Sequence, residues 1–164
     1  MDTKKEYTIN TFRQTSTAEQ RLAIVERKRL ELPQKVPICL FRAELRDTML
    51  LPYIHPQLLV DGDMNFSWTM QLVKRKKMMQ HEKQMEKQNG EESKFAQEEK
   101  KHLTLDPSET LFYFIYKYKG DETKPCVNGI IPSGSLCMSQ IYDEYKSDDG
   151  LLYIVYAKES TMGN

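Results

Sequence analysis

The chain closes on a continuous apolar run, Leu151-Leu152-Tyr153-Ile154-Val155-Tyr156-Ala157, which passes directly into the polar stretch Lys158-Glu159-Ser160-Thr161-Met162-Gly163-Asn164. Such a run predicts a buried strand, and the proline-free polar residues after it are expected to hang free. Everything upstream must therefore provide a sheet and a core for this strand.

With 164 residues and 39% hydrophobic content, the chain is long enough for one packed core, and two are not expected. Lys+Arg and Asp+Glu both number 24. That neutral balance argues against nucleic acid as a partner, because a domain that binds polyanions carries a basic excess. Cys39, Cys126 and Cys137 show no C-x-x-C spacing. Cys39 and Cys137 sit in apolar runs as small core residues do, which fits a reducing, cytoplasmic setting. No stretch approaches the ~20 apolar residues that span a bilayer, and the first residues lack the apolar region of a signal peptide. Contact with a membrane therefore requires an attached anchor.

Residues Thr3 to Arg13 read either as a short helix or as a loose segment, and the sequence leaves both open. Ser16-Thr17-Ala18-Glu19 fits a capping box. Ala18, Leu22 and Val25 then share one helical face, and Pro33 ends the helix. The short charge run Arg27-Lys28-Arg29 reads as a solvated helix end. Val36 to Phe41 is a strand with Pro37 near its start, and Leu58-Leu59-Val60 is a second, brief one. Asp61-Gly62-Asp63 turns the chain. A calcium loop would need Glu at its twelfth position, where Leu72 stands, so Asp63 is expected to cap a helix that buries Phe66, Met70 and Val73.

Residues 77–102 are a low-complexity run of Lys, Glu, Gln and Met broken by Asn89-Gly90, with too few apolar residues to bury a face. They predict a charged helical extension and a loop inserted into the fold. Leu111 to Tyr116 is the most aromatic run and predicts a central strand, and Gly120-Asp121 signals a turn into a hairpin partner spanning Thr123 to Val127. Ser133-Gly134-Ser135 is placed to cap a helix with Cys137, Met138, Ile141, Tyr142 and Tyr145 inward, and Asp149-Gly150 turns into the final strand. Few strands, with helices on one face of them, define an α+β domain.

Several stretches together resemble a known family. Ser133-Gly134-Ser135-Leu136-Cys137-Met138-Ser139-Gln140-Ile141-Tyr142, Lys146 to Tyr156, and Glu159-Ser160-Thr161-Met162-Gly163 are similar to the C-terminal half of the autophagy ubiquitin-like modifiers of the GABARAP and microtubule-associated light-chain type. Glu26-Arg27-Lys28-Arg29, Pro33, Lys35-Val36-Pro37, Leu59-Val60 and Leu105-Asp106-Pro107 fall at the family's spacing in the other half. Residues 77–102 and about 116–126 have no counterpart.

The resemblance implies a ubiquitin-like β-grasp with two N-terminal helices: residues 1–33 as a helical extension packed on the core and 34–164 as the ubiquitin-like domain. It implies a modifier and not an enzyme, with no cofactor or metal. A processing cysteine protease would recognise Met162 and cut between Gly163 and Asn164. Activating and conjugating enzymes would then join the Gly163 carboxylate to phosphatidylethanolamine. A glycine suits that chemistry because it lacks a Cβ and leaves its carbonyl open to attack. The two acyl chains of the lipid provide stable anchoring, so the chain would pass from the cytoplasm to the autophagosome membrane.

The resemblance also implies docking of cargo receptors through aromatic-x-x-aliphatic motifs added as a strand. Pro37, Cys39, Gln57, Leu59 and Leu151 would line the aromatic pocket, and Leu58, Val60, Thr69, Leu72, Val73 and Lys76 the aliphatic one. Arg29 would face the motif's acids. Lys28 stands where the family has an aliphatic pocket residue, Gln57 where it has a basic one, Leu151 and Met162 where it has Phe, and Asp61 where it has Pro. Two other readings compete. One is a ubiquitin-like scaffold that is never conjugated. The other is an enzyme pairing Cys39, Cys126 or Cys137 with His55, His81 or His102, for which no local signature exists.

Overall fold

The computed structural model describes residues 8–43, 56–76 and 111–157. In chain order these form α1 (Ile9–Gln14), α2 (Ala18–Glu31), β1 (Lys35–Arg42), β2 (Gln57–Asp61), β3 (Phe112–Lys117), β4 (Val127–Ile130) and β5 (Leu152–Ala157). Two more helices lie between strands: α3, described over residues 66–76, and α4 (Met138–Tyr145). The segment left open at the N-terminus thus contains a helix. Thr8 caps it, accepting the Thr11 N–H at 3.1 Å while the Thr11 hydroxyl accepts the Thr8 N–H at 2.8 Å.

The five strands form one mixed sheet in the order β2-β1-β5-β3-β4. β1 and β5 run parallel, and the remaining pairs are antiparallel. β5 lies at the centre, and all six of its residues are buried. Side chains of a strand alternate between faces, and here both faces are covered. Leu152, Ile154 and Tyr156 enter a core with Ile38, Leu40, Phe66, Met70, Met138 and Ile141, beneath α3 and α4. Tyr153, Val155 and Ala157 enter a second core with Phe12, Val25, Cys39, Phe41 and Phe114, beneath α1 and α2. Helices on one face only were expected. The continuous apolar run of β5 needs the second layer, since without α1 and α2 its odd-numbered residues would face water.

Local rules decided four further differences. The α2 cap is Thr17, not Ser16: Thr17 Oγ1 accepts from the Gln20 N–H at 3.2 Å, and Gln20 Oε1 from the Thr17 N–H at 2.9 Å. The same capping pattern recurs one residue later, and the Ser16 carbonyl is taken by Arg21. Asn65, not Asp63, caps α3, accepting the Trp68 N–H at 2.7 Å. Gly62 and Met64 are occupied with the start of α4, receiving the Ser139 and Met138 N–H groups at 2.9 and 2.8 Å. α4 is capped at Cys137, where Gln140 Oε1 accepts the backbone N–H at 3.1 Å, while Ser133 and Ser135 bond to each other. Cys137 is therefore a cap only half-buried, whereas Met138, Ile141 and Tyr142 are inward.

The strand returning from β3 is Val127–Ile130 and not Thr123 to Val127. Residues 118–126 are used elsewhere. Cys126 N–H closes this loop on the Lys117 carbonyl at 2.7 Å, and its tip reaches across to α1 and α2. β4 therefore starts where the expected hairpin strand was to end. The expected insertion at 77–102 lies outside the described residues.

Candidate functional site

β2 is the outermost strand at one end of the sheet and pairs only with β1 among the described residues. Its free edge carries backbone donors and acceptors of the kind that pair with an incoming extended peptide. A groove opens on each side of it, and Leu58 and Leu59 line both.

The first groove, about 130 Å³, lies between the helical layer and the sheet. Pro37, Gln57, Leu59 and Leu151 line it, as the resemblance implied, and α1 and α2 supply Phe12, Arg21, Ile24, Val25 and Lys28. The contributions of α2 follow from helix geometry, because Arg21, Ile24, Val25 and Lys28 fall at i, i+3, i+4 and i+7. Cys39 is not a lining residue. It has 0% exposure in the middle of β1, and burial pushes its thiol well up, with the nearby Asp149 carboxylate acting in the same direction. Leu151 is 4% exposed and mostly committed to the core.

The second groove, about 220 Å³, lies between β2 and α3, and all six residues expected for it are present: Leu58, Val60, Thr69, Leu72, Val73 and Lys76. Lys35, Asp61 and Met64 complete its wall. Lys35 and Asp61 are direct cross-strand partners and form an ion pair of 2.6 Å. With side chains 37% and 52% exposed, the pair contributes at most about 1 kcal/mol, but it neutralises that end of the groove. The Thr69 hydroxyl donates to the Asn65 carbonyl at 2.8 Å, within its own helix.

Arg29 lines neither groove. Its guanidinium lies 4.7 Å from the Tyr142 ring centroid, in a cavity between α2 and α4 that also involves Glu26, Lys117, Asp143 and Lys146. The charge run of α2 is thus divided, with Lys28 in the first groove and Arg29 behind it, both half-buried and not fully solvated.

Two buried arginines that the sequence reading passed over hold the first groove together. Arg21 Nε donates to Asp149 Oδ2 at 2.7 Å, and its Nη1 donates to the carbonyls of Arg13, at 2.6 Å, and Ser16. Arg13 stacks 3.9 Å from the Tyr118 ring centroid. The only available signal was their position at the start of an amphipathic helix and just before it, and an arginine there ordinarily reads as solvated.

Among the described residues no group of His, Cys, Asp and Glu is arranged to hold a metal ion, and no helix is long and apolar enough to cross a membrane. His55, His81 and His102 lie outside the described residues, as do Met162, Gly163 and Asn164.

A five-stranded mixed sheet with a central parallel pair, and helices packed on both faces, is a ubiquitin-like α+β fold preceded by two N-terminal helices. The sequence pattern of the family described as autophagy protein Atg8 ubiquitin like matches residues 88–163. Autophagy-related protein 8 of Dictyostelium discoideum is 38% identical over 71 residues, 43% of this chain and 49% of that protein. Autophagy-related protein 8d of Arabidopsis thaliana is 26% identical over 156 residues, 94% of this chain and 96% of that protein. The matched stretch thus spans about half the length of the first relative and nearly all of the second. Among solved structures, Plasmodium falciparum Atg8 in complex with a Plasmodium falciparum Atg3 peptide superposes with a TM-score of 0.60 at 22% identity, covering 92% of this chain and 98% of that one. Trypanosoma brucei ATG8 gives 0.60 at 20% identity over 93% and 97%. In sequence over residues 88–163, and in fold over most of its length, the chain is similar to the Atg8 ubiquitin-like proteins.

Proposed function

We propose that this chain is a ubiquitin-like modifier of autophagy, trimmed after Gly163 and conjugated to phosphatidylethanolamine. On the autophagosome membrane it docks short linear motifs of cargo receptors. The observation that carries the docking half is the free edge of β2 with a groove on either side, both lined by Leu58 and Leu59. Successive side chains of an added strand point to opposite faces, so an aromatic residue entering one groove and an aliphatic residue entering the other fit one peptide. Lys28 and Gln57 give the first groove a polar rim.

The conjugation half is supported by the family match, which extends to Gly163. The partners in this reading are a processing cysteine protease, activating and conjugating enzymes, phosphatidylethanolamine and the cargo receptors; nucleic acid is not among them. In this reading the chain is a modifier and not itself an enzyme, and Cys39, sealed in the core with its thiol pKa raised by burial, is not offered as a nucleophile. Residues 34–164 act as the ubiquitin-like domain, with 1–33 as its helical extension.

Isothermal calorimetry with an aromatic-x-x-aliphatic peptide tests the docking reading. Saturable binding that is weakened by replacing either anchor with alanine supports it, and absence of binding by the wild-type chain overturns it.

A further inference from the structure

The loop 118–126 is bound on two sides. Toward α4 and β5, the Tyr118 N–H donates to Ser147 Oγ at 2.9 Å, and the Gly120 N–H donates to Asp148 Oδ2 at 2.8 Å. Toward the helical layer, Arg13 Nη2 donates to the Gly120 carbonyl at 2.9 Å, and Nη1 donates to the Glu122 carbonyl. Asp121 makes the contact that matters most. Its Oδ1 accepts the N–H of Ala18, the first residue of α2, at 2.7 Å, and lies 3.3 Å from Arg21 Nη2. A carboxylate at this position satisfies a free helix N–H and opposes the positive end of the helix dipole.

The two helices fixed in this way form one wall of the first groove, through Phe12, Arg21 and Lys28. Asp121 itself does not line that groove. We infer that Asp121 is a positioning residue for aromatic-motif binding: by clamping the start of α2 and Arg21, the 118–126 loop sets the distance between helix and sheet at which the first groove accepts an aromatic side chain. The second groove, built from β2 and α3, contains no residue of this clamp. The control is therefore confined to one of the two subsites. The Asp121 side chain is 59% exposed, so its substitution removes the clamp without opening the core.

This inference rests on the docking reading, and its test separates the two. Peptide affinity is measured for the wild type, Asp121→Ala and Asp121→Asn with two peptides, one carrying the aromatic anchor and one with leucine in its place. The expectation for Asp121→Ala is a loss on the order of tenfold for the aromatic peptide, the equivalent of one helix cap, with little change for the leucine peptide. Asp121→Asn keeps an oxygen for the Ala18 N–H and restores most of the affinity. Equal weakening of both peptides would make Asp121 merely structural, and no weakening of either would make the clamp irrelevant; both results overturn the inference while leaving the docking reading intact. A wild-type chain that binds neither peptide overturns the docking reading itself, and the inference with it.

Discussion

Arg21 and Asp149 meet inside the protein, Nε to Oδ2 at 2.7 Å, with side chains only 4% and 2% exposed. The pair joins the helical layer to the turn that starts β5. Both oxygens of the carboxylate are engaged, since Oδ2 also accepts the Tyr153 hydroxyl at 2.5 Å and Oδ1 accepts the Leu151 N–H at 3.0 Å. Burial lowers the tendency of Arg21 to stay charged, yet the hydrogen bond to Asp149 and the neighbouring acids more than compensate, and its pKa is raised. Removing Asp149 leaves the buried Arg21, among the described residues, with only the largely exposed Asp121 as a counter-charge. Asp149→Ala is expected to cost about 3–5 kcal/mol in urea unfolding, whereas Lys35→Ala at the exposed pair should cost no more than about 1 kcal/mol.

Gly150 provides a second probe of the same junction. Its φ is +80°, and a Cβ there would lie 2.8 Å from Val25 Cγ1 and 3.3 Å from Leu22 Cδ1. Gly150→Ala is therefore strained in backbone and crowded against α2, and should destabilise by more than about 1 kcal/mol. Gly120 also has positive φ but nothing within 4 Å of such a Cβ. Gly120→Ala should cost less, and denaturant midpoints of the two variants measure the contrast.

Stability should fall in alkali. Burial raises the Cys39 thiol above its ordinary 9.0 and the Tyr113, Tyr142 and Tyr153 phenols above their ordinary 10.0. The folded state keeps these protons at a pH where the unfolded chain releases them, so the unfolded state binds fewer protons and stability declines as pH rises. The denaturation midpoint should be level up to about pH 9.0, the unfolded thiol value, and fall beyond it, more steeply above the phenol value of 10.0. A midpoint that stays constant into that range would contradict this burial.

The two grooves can be separated by mutation. Leu59 lines both and is only half-buried, while Leu72 lines the second alone and is 38% exposed. Leu59→Ala should weaken an aromatic-x-x-aliphatic peptide by roughly tenfold or more, and Leu72→Ala should weaken only peptides that carry the aliphatic anchor, as read by calorimetry. Leu151→Ala is a poorer probe. At 4% exposure it also opens the core, with a stability loss of about 2–5 kcal/mol.

Elements with strong periodicity were legible in the sequence. The run Leu151 to Ala157 announced the central strand, and Phe66, Met70 and Val73 marked the inner face of α3 as buried residues. Caps were displaced because their patterns are degenerate. Ser16-x-x-Glu19 and Thr17-x-x-Gln20 satisfy the same rule, and the choice rests on Arg21 taking the Ser16 carbonyl and Asp121 taking the Ala18 N–H. The six residues that the resemblance assigned to the aliphatic pocket converge on the second groove, together with Lys35, Leu59, Asp61 and Met64, which it did not assign there. The first was legible only in part, because half of its wall comes from α1 and α2, held by arginines whose burial depends on partners about a hundred residues away: Gly120 and Glu122 for Arg13, Asp121 and Asp149 for Arg21. Cys39 shows the same limit: the strand alternation places it on the face of Pro37, but its depth beneath the helices is a tertiary fact.

The central claim, a modifier that is trimmed and lipidated, is tested most directly by the intact mass of the chain recovered from cells with autophagy induced. The account predicts loss of Asn164, addition of phosphatidylethanolamine at the Gly163 carboxylate and a shift to membranes, all abolished by Gly163→Ala. A full-length, unmodified chain that stays soluble under those conditions would contradict it.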